Sequence, residues 1–212
     1  MTLSTSAPAL SSAQASSLPA PAAIHQLHHY AYRAKDAEET RHFYEDILGL
    51  PLYHIIQSDV VPSTGEYCPY THFFFRLRDG SFIAFFDLGD DVAALPSPNT
   101  PLWVNHISFR VDTKADLQAM KDRLQAHDVE VLGITDHHIF DSIYFFDPNG
   151  VRLELTAQRA DEFQMLQESK TAHARLNEWT ARKAQWRKDR AAGHAEKPLK
   201  PQQNDRPEFK AV

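Results

Sequence analysis

Cysteine, glycine and long apolar runs are all scarce in this chain of 212 residues, which has one cysteine and seven glycines. Because Cys68 has no second cysteine to pair with, an internal disulfide is excluded and a reducing compartment is favoured. No apolar run approaches the roughly 20 residues of a membrane-spanning helix. The net charge of −6 disfavours general nucleic-acid binding. These shortages predict a cytoplasmic protein that binds neither membranes nor nucleic acid.

The first 23 residues also lack any charged side chain, and the first Lys or Arg is Arg33. A secretory signal has a basic start followed by an uninterrupted apolar core, and this segment has neither. Its Ser, Ala and Pro residues cannot bury enough apolar surface to offset the entropy of ordering, so residues 1–23 are predicted to form a disordered tail. Lys, Pro and Gln dominate residues 193–212, which are predicted to be a flexible tail.

Between the tails, one pattern occurs twice: a strand, an amphipathic helix and three further strands. The two units, 24–92 and 102–158, flank a proline-rich linker. His29 lies seven residues before Asp36 at the first predicted helix start, and His106 lies seven residues before Thr113 at the second. The equal spacing indicates an internal duplication within a paired βαβββ domain at 24–158.

The second unit ends in a predicted hairpin with strands at 142–146 and 151–155, joined by the turn residues Asp-Pro-Asn-Gly. Side chains alternate along a strand, so Arg152, Glu154 and Thr156 share one face. The duplication places Ala84 at the position that corresponds to Glu154. A fourth strand-like segment is predicted at 129–132.

A long polar helix is predicted over 159–192. Ala172, Leu176 and Trp179 follow one another at spacings of four and three, and Trp186 returns to the same side seven residues later. Such a stripe is typical of packing, so the helix is predicted to lie against the rest of the chain or against a second subunit.

Two histidines and one carboxylate fall on equivalent faces of the duplicated strands. His29 and His106 are predicted to point away from the helices, as is Glu154. A carboxylate held on a rigid sheet needs a compensating cation or proton. Two imidazoles and one carboxylate form the ligand set that leaves coordination positions open on a divalent metal.

The segments HHYAYRAKD, FYEDILGLPL, NHISFRVDT and SIYFFDPNGVRLEL resemble those of the vicinal oxygen chelate superfamily. This superfamily includes glyoxalase I, bleomycin- and fosfomycin-resistance proteins and type I extradiol dioxygenases. The resemblance covers 24–158 and implies an α+β fold: two βαβββ modules that form a half-open, curved mixed β-sheet barrel around a metal, here with a long C-terminal helix added. It also implies a homodimer, although the modules could pair within one chain or across subunits.

The resemblance implies that His29, His106 and Glu154 are the metal ligands. Glyoxalase I has a fourth ligand, a carboxylate, where this chain has Ala84, so the three-ligand pattern points to an extradiol-type dioxygenase. Such an enzyme cleaves a small aromatic diol with O2 and uses Fe(II), or alternatively Mn(II). The matching positions assign catalytic roles to Tyr144, as a hydrogen-bond donor to the substrate, and to His72, as an acid/base that takes a phenolic proton.

Two other classes stay open. One is a metal-dependent isomerase, lyase or transferase like glyoxalase or the fosfomycin-resistance proteins, in which the metal stabilises an oxyanion without redox chemistry. The other is a ligand-sequestering protein like those that bind bleomycin; the presence of all three ligands argues against it. His28, His137 and His138 resemble residues that surround the metal in hydroquinone-cleaving members, and their roles are left open.

Overall fold

The computed structural model describes residues 23–193 except positions 96 and 98. The two predicted tails, 1–23 and 193–212, lie outside the described residues apart from Ala23 and Gly193. No helix within the described residues is both long enough and apolar enough to cross a membrane.

The first module is a four-stranded mixed sheet with one helix, as the repeat predicts. Asp36 caps the helix α1 by accepting a hydrogen bond from the amide of Glu39. The helix then widens into a π-helical turn, in which the Leu48 amide donates to the carbonyl of Phe43. The elements are β1 His29–Arg33, α1 Ala37–Arg41 with its π-helical continuation His42–Ile47, β2 Leu52–Val60, β3 Tyr67–Arg76 and β4 Phe82–Asp87. The strand order is β1-β4-β3-β2, with β1 parallel to β4.

The second module repeats this plan with the strand order β5-β8-β7-β6. Thr113 caps the helix α2 by accepting a hydrogen bond from the Asp116 amide, and the side chain of Asp116 accepts one from the Thr113 amide. The predicted strand at 129–132 is wrong in position, because β6 begins only at Leu132. The elements are β5 Ile107–Val111, α2 Lys114–Ala126, β6 Leu132–Asp136, β7 Phe140–Phe146 and β8 Arg152–Gln158.

The strand registers confirm that Ala84 and Glu154 are equivalent. In the first module Ala84 lies between Ala31 and Phe74. In the second module Glu154 lies between Ser108 and Tyr144. The same face of the same unit therefore carries a methyl group in one copy and a carboxylate in the other.

One hydrophobic core joins the two modules. Tyr44 and Phe75 from the first module belong to the same buried cluster as Phe145 and Leu153 from the second. The Tyr44 hydroxyl donates to the buried carboxylate of Asp147 at 2.9 Å. Because this core holds the modules together through their helix-bearing sides, the opposite faces of the sheets, which carry the histidines, stay free of it.

The two sheets stay separate within one chain. Among the described strands, β1 is hydrogen-bonded only to β4, and β5 only to β8. Each sheet therefore ends in an edge strand next to a predicted ligand. His29 lies in the edge strand β1, and His106 directly precedes the edge strand β5. The α+β class and the paired modules are confirmed, and the sheets form no closed barrel.

The C-terminal helix α3, Glu162–Ala191, begins at Asp161, whose side chain accepts from the amide of Gln164. None of its side chains is buried. The expectation that it packs against the rest of its own chain is therefore wrong, and packing against a second subunit remains as the predicted alternative.

Candidate metal centre

Glu154 and His106 come together at the start of the paired strands β5 and β8. Glu154 is 4% exposed, and its Oε2 lies 3.3 Å from Nε2 of His106. The other ring nitrogen of His106, Nδ1, lies 3.0 Å from the carbonyl oxygen of Val104. A carbonyl only accepts, so Nδ1 of His106 carries a proton and donates it, and in the neutral imidazole the lone pair of Nε2 then faces Glu154.

The carboxylate of Glu154 is surrounded by hydroxyl groups. Burial acts to raise its pKa, but hydrogen bonding to Ser142, Tyr144 and Ser108 outweighs burial, and the pKa of Glu154 lies below its usual value. Thr156 connects two of these hydroxyls, since its Oγ1 is 2.8 Å from Ser108 Oγ and 3.1 Å from Ser142 Oγ. Glu154 is therefore held in the charged form that a metal ligand requires.

Tyr144 lies between Glu154, a histidine and an arginine. Its hydroxyl is 2.7 Å from Nε2 of His137, and the guanidinium carbon of Arg152 is 4.2 Å from the centre of its ring. Burial and the neighbouring Glu154 carboxylate raise the pKa of Tyr144 to about 12. The phenol consequently stays protonated near neutral pH and can donate a hydrogen bond.

The first module brings together a different set of groups. Nδ1 of His29 is 2.8 Å from Nδ1 of His28, and the ring centre of His29 lies 6.0 Å from that of His72. His72 is 7% exposed, and its Nδ1 lies 2.9 Å from the carbonyl oxygen of Phe85. That contact places the proton of a neutral His72 on Nδ1 and leaves Nε2 as a proton acceptor. Burial lowers the pKa of His72 and outweighs the hydrogen bond to Phe85, which acts to raise it, and the nearby charges of His29 and His54 lower it further.

Aromatic rings surround His72 and His29. His72 stacks on Phe86 with ring centres 3.7 Å apart, and Phe74 lies 4.1 Å from His72 and 5.6 Å from His29. Ala84 is fully buried beneath this group and supplies no ligand. The first module thus contributes an imidazole pair with an apolar wall, and the second contributes an imidazole, a carboxylate and hydroxyls.

Within one chain, the predicted ligands stay divided between the two modules. His106 and Glu154 are together, and His29 lies with His72. Among the described residues, no group of three or more His, Cys, Asp or Glu side chains is arranged to hold a metal ion. The donors of the second module nevertheless suit a divalent metal, because a charged carboxylate and an oriented imidazole lone pair converge there.

Arg152 and His54 belong to the site, although the sequence did not assign them a role. Arg152 shares a strand face with Glu154 by simple alternation, so its position was predictable, but its placement over the Tyr144 ring was not. His54 pairs with Phe74 across β2 and β3, with ring centres 5.5 Å apart. No sequence signal marks His54, because its strand register depends on a bulge between Leu52 and His54.

A cavity of about 310 Å³ opens beside His106 and Arg152. It is lined by Tyr30 and Tyr32 of β1 and by Thr100 and Leu102 from the segment before β5. Its size lies within the usual range for small-molecule pockets.

Comparisons with known proteins agree with this architecture. The family model described as Glyoxalase/Bleomycin resistance protein/Dioxygenase superfamily matches residues 26–155. None of the curated proteins gives a significant match.

Solved structures of similar fold include a glyoxylase/bleomycin resistance protein/dioxygenase domain from Frankia sp. EAN1pec. It is 18% identical, with a TM-score of 0.54, and the match covers 65% of this chain and 100% of that one. The trypanothione-dependent glyoxalase I of Leishmania major is 16% identical with a TM-score of 0.50, covering 73% and 99%. The fosfomycin resistance protein FosX of Listeria monocytogenes, in complex with Mn(II) and sulfate, is 22% identical with a TM-score of 0.48, covering 68% and 99%.

The duplicated βαβββ units, the equivalent strand registers and a family model that matches well over half of the chain lead to one conclusion: this protein belongs to the glyoxalase/bleomycin resistance protein/dioxygenase superfamily.

Proposed function

We propose that this protein is a metal-dependent enzyme in which His29 of one copy and His106 and Glu154 of a second copy hold one divalent metal ion. Members of the superfamily are mostly metal-dependent enzymes that act on small molecules. A bound metal would act as a Lewis acid toward two oxygen atoms of the substrate. The observation that carries the proposal is the 3.3 Å approach of His106 Nε2 to Glu154 Oε2, with the other nitrogen of His106 already engaged.

Assembly of the metal site from two copies is supported by the incomplete set of ligands that one chain brings together. His106 and Glu154 have no third protein ligand beside them among the described residues. The strands that bring in His29 and His106, β1 and β5, each have one edge without a strand partner in the described part of the chain. Placing β1 of one copy beside β5 of another would use both edges and bring the third ligand to the pair.

Metal content tests the ligand set directly. We expect His29→Ala, His106→Ala and Glu154→Gln each to reduce bound Mn(II) or Fe(II) by at least about tenfold in equilibrium dialysis, because each removes one of three protein ligands. His127→Ala is the matched control, since His127 is an exposed histidine at the end of α2. Unchanged metal binding in all three variants would refute the site.

Mixed dimers test the assembly. When His29→Ala chains are co-expressed with Glu154→Gln chains and the hetero-pair is isolated with two tags, two-chain assembly leaves one of its two sites with all three ligands. We therefore expect about half of the wild-type metal in the mixed pair and almost none in either variant alone. A site built within single chains would leave the mixed pair empty, because every chain would lack one ligand.

The side chains of the second module favour a reaction without redox chemistry, catalysed by an isomerase, lyase or transferase. In such a reaction the site stabilises a negatively charged oxygen of the substrate. The Arg152 guanidinium lies beside Tyr144 on the strand face that carries Glu154, so it can neutralise a developing charge. Tyr144, which stays protonated, can redirect its single O–H from Glu154 to the same oxygen. His72, with its unprotonated Nε2, can remove a proton from the substrate.

The first module supports a second candidate, the extradiol-type cleavage of a small aromatic diol. Phe74 and Phe86 form an apolar wall beside His29, against which an aromatic ring could stack. Here His72 would take the phenolic proton, and the metal would be Fe(II) or Mn(II).

Metal preference and oxygen consumption separate the two reactions. Metal-free protein is loaded without oxygen with Mn(II), Ni(II), Zn(II) or Fe(II) and assayed with fosfomycin, with a 2-oxoaldehyde plus a thiol, and with a panel of catechols and hydroquinones. Turnover without oxygen uptake, with metals that have no accessible redox change, supports the non-redox reaction. Oxygen uptake with an aromatic diol, restricted to Fe(II) or Mn(II), supports the dioxygenase.

A further inference from the structure

The helix α3 presents an apolar stripe to solvent along most of its length. Trp179 is 49% exposed, Trp186 is 42% exposed and Leu176 is 61% exposed. Together with Met165 and Ala172 they follow spacings of seven, four, three and seven residues, which keeps them on one side of a helix. Thirty residues of helix without one buried side chain are not stabilised by packing within this chain.

The two tryptophans make the stripe continuous. The ring centres of Trp179 and Trp186 are 5.4 Å apart, edge to face, although two helical turns separate the residues. The guanidinium of Arg182 lies 5.1 Å from the centre of the Trp186 ring. The stripe is thus a joined apolar surface with a cationic border at its C-terminal end.

Charge is distributed unevenly along the helix. Residues 177–191 carry five basic and two acidic side chains, whereas residues 162–176 carry two of each, and the capping residue Asp161 adds a negative charge at the start. Two such helices side by side in parallel would bring the two basic halves together. In the antiparallel orientation each basic half faces the neutral to acidic half of the other helix, which removes that repulsion.

We propose that α3 pairs with α3 of a second copy in an antiparallel two-helix contact, with Leu176 and Trp179 near the two-fold axis. In this alignment Ser169 of one helix lies opposite Trp186 of the other, so that a small side chain faces the large indole. Ala172 likewise lies opposite Lys183, whose aliphatic stem can cover the apolar stripe while its ammonium group stays in water. The contact uses residues outside the metal centre and does not depend on metal binding.

Engineered cysteines test both the pairing and its direction. In a Cys68→Ser background, the full-length chain carrying Ala172→Cys together with Lys183→Cys is expected to form covalent dimers on mild oxidation, because antiparallel pairing brings residue 172 of one helix to residue 183 of the other. The two single-cysteine variants are expected to stay monomeric on denaturing gels. Parallel pairing would instead cross-link each single variant, and absence of cross-linking in all three would also overturn the proposal.

A matched pair of charge substitutions tests the role of the stripe. Leu176→Glu, added to the double-cysteine chain, is expected to slow cross-linking by at least tenfold, because it places two carboxylates at the axis. Ala181→Glu, about 140° away around the helix, is expected to leave cross-linking unchanged. Equal effects of the two substitutions would show that the stripe does not mediate the contact.

The same proteins separate this proposal from the others. Helicity measured by circular dichroism verifies that Leu176→Glu remains folded. Binding of the wild type to anionic vesicles, with a blue shift of tryptophan fluorescence and no cross-linking, would assign the stripe to a lipid surface and refute the pairing. Metal content in the mixed-dimer experiment reports on the metal centre alone, so either proposal can fail while the other stands.

Discussion

The negative charge of Glu154 depends on hydrogen bonds from its neighbours. Its position deep in a sheet would favour the neutral acid, and the hydroxyls of Ser142, Tyr144 and Ser108 reverse that preference. These residues lie at neighbouring strand positions, so their grouping requires the register of three paired strands. The sequence predicts Glu154 as a metal ligand, but the hydroxyls around it become visible only in the folded chain.

Tyr144 gives the first prediction at this scale. We expect Tyr144→Phe to lower kcat by about 100-fold, because it removes one hydrogen-bond donor from the site. Its metal content should stay close to that of the wild type, since Tyr144 is not one of the three proposed ligands. Tyr67→Phe, at a strongly exposed tyrosine, is the control and should leave kcat unchanged. Equal kcat for Tyr144→Phe and wild type would remove Tyr144 from the reaction.

Asp147 gives a second prediction, which concerns stability. Burial raises the pKa of Asp147 from 3.8 to about 6, although Val151 and Tyr44 donate hydrogen bonds to it. Because the folded chain holds this proton more tightly than the unfolded chain, the stabilisation from Asp147 is complete below pH about 4 and declines as the pH rises to about 6. The decline amounts to about 3 kcal/mol.

The comparison with Asp147→Asn isolates this effect. Between pH 4 and pH 6.5, the free energy of unfolding of the wild type, measured in urea, should fall relative to that of Asp147→Asn. Above pH 6.5 the difference between the two should become constant. A difference that does not vary with pH would show that Asp147 keeps its ordinary pKa.

At the level of strands and helices, alternation and spacing predicted most elements. The period of two placed Glu154 and Arg152 on the face opposite Leu153 and Leu155, and the structure buries both leucines in the core. The predicted helix starts at Asp36 and Thr113 are confirmed. An N-cap forms hydrogen bonds only with residues two or three positions away, so it can be predicted without knowledge of the tertiary structure. The π-helical turn was not predicted, since no residue type marks a change from α to π hydrogen bonding.

The position of β6 was predicted wrongly for a physical reason. Val129 and Val131 match a strand by composition, but the chain there packs its valines against the core before pairing begins. Pairing with β7 starts at Leu132 and then shifts register between Gly133 and Thr135. Gly133 has a φ of +110°, a conformation that L side chains rarely adopt.

Gly133 therefore gives a prediction for the sheet. A Cβ at this position would lie 2.7 Å from the carbonyl oxygen of Ser142, so Gly133→Ala is both strained and crowded against backbone. We expect it to lower the free energy of unfolding by about 3 kcal/mol or more. Gly65→Ala, at φ +74° with no atom near the added Cβ, should cost only about 1 kcal/mol. Equal losses of unfolding free energy in the two variants would show that crowding against the Ser142 carbonyl adds nothing to the cost.

At the level of the whole molecule, the core makes the modules interdependent. Tyr44 and Phe75 pack in the same buried cluster as Phe145, and the Lys35 amide donates to the side chain of Asn149 at 2.9 Å. We expect thermal unfolding of the sheets to be a single transition, with the same midpoint for the β-sheet amide band in the infrared and for tyrosine near-ultraviolet signals. Two separated midpoints would show that the modules unfold independently.

The sequence could predict the duplication and the ligand types, but not how the sheets meet. Counting residues locates His29, His106 and Glu154 on equivalent faces whether or not those faces belong to the same chain. Which edges pair depends on how the linker at 93–101 directs the second module, and that path has no periodic signal. Among the described residues, the shared core lies on one side of the sheets, and β1 and β5 each have one edge without a strand partner, which supports the proposed pairing between copies.

The fully buried methyl group of Ala84 limits which side chains its position can accept. Phe74 lies beside it on the neighbouring strand, and the rings of His72 and Phe86 close over the same face, so the space that a carboxylate would need is already filled. A glutamate at this position would place a charge among aromatic rings. We therefore expect Ala84→Glu alone to destabilise the first module without adding a metal ligand, unless at least one of those rings is made smaller as well.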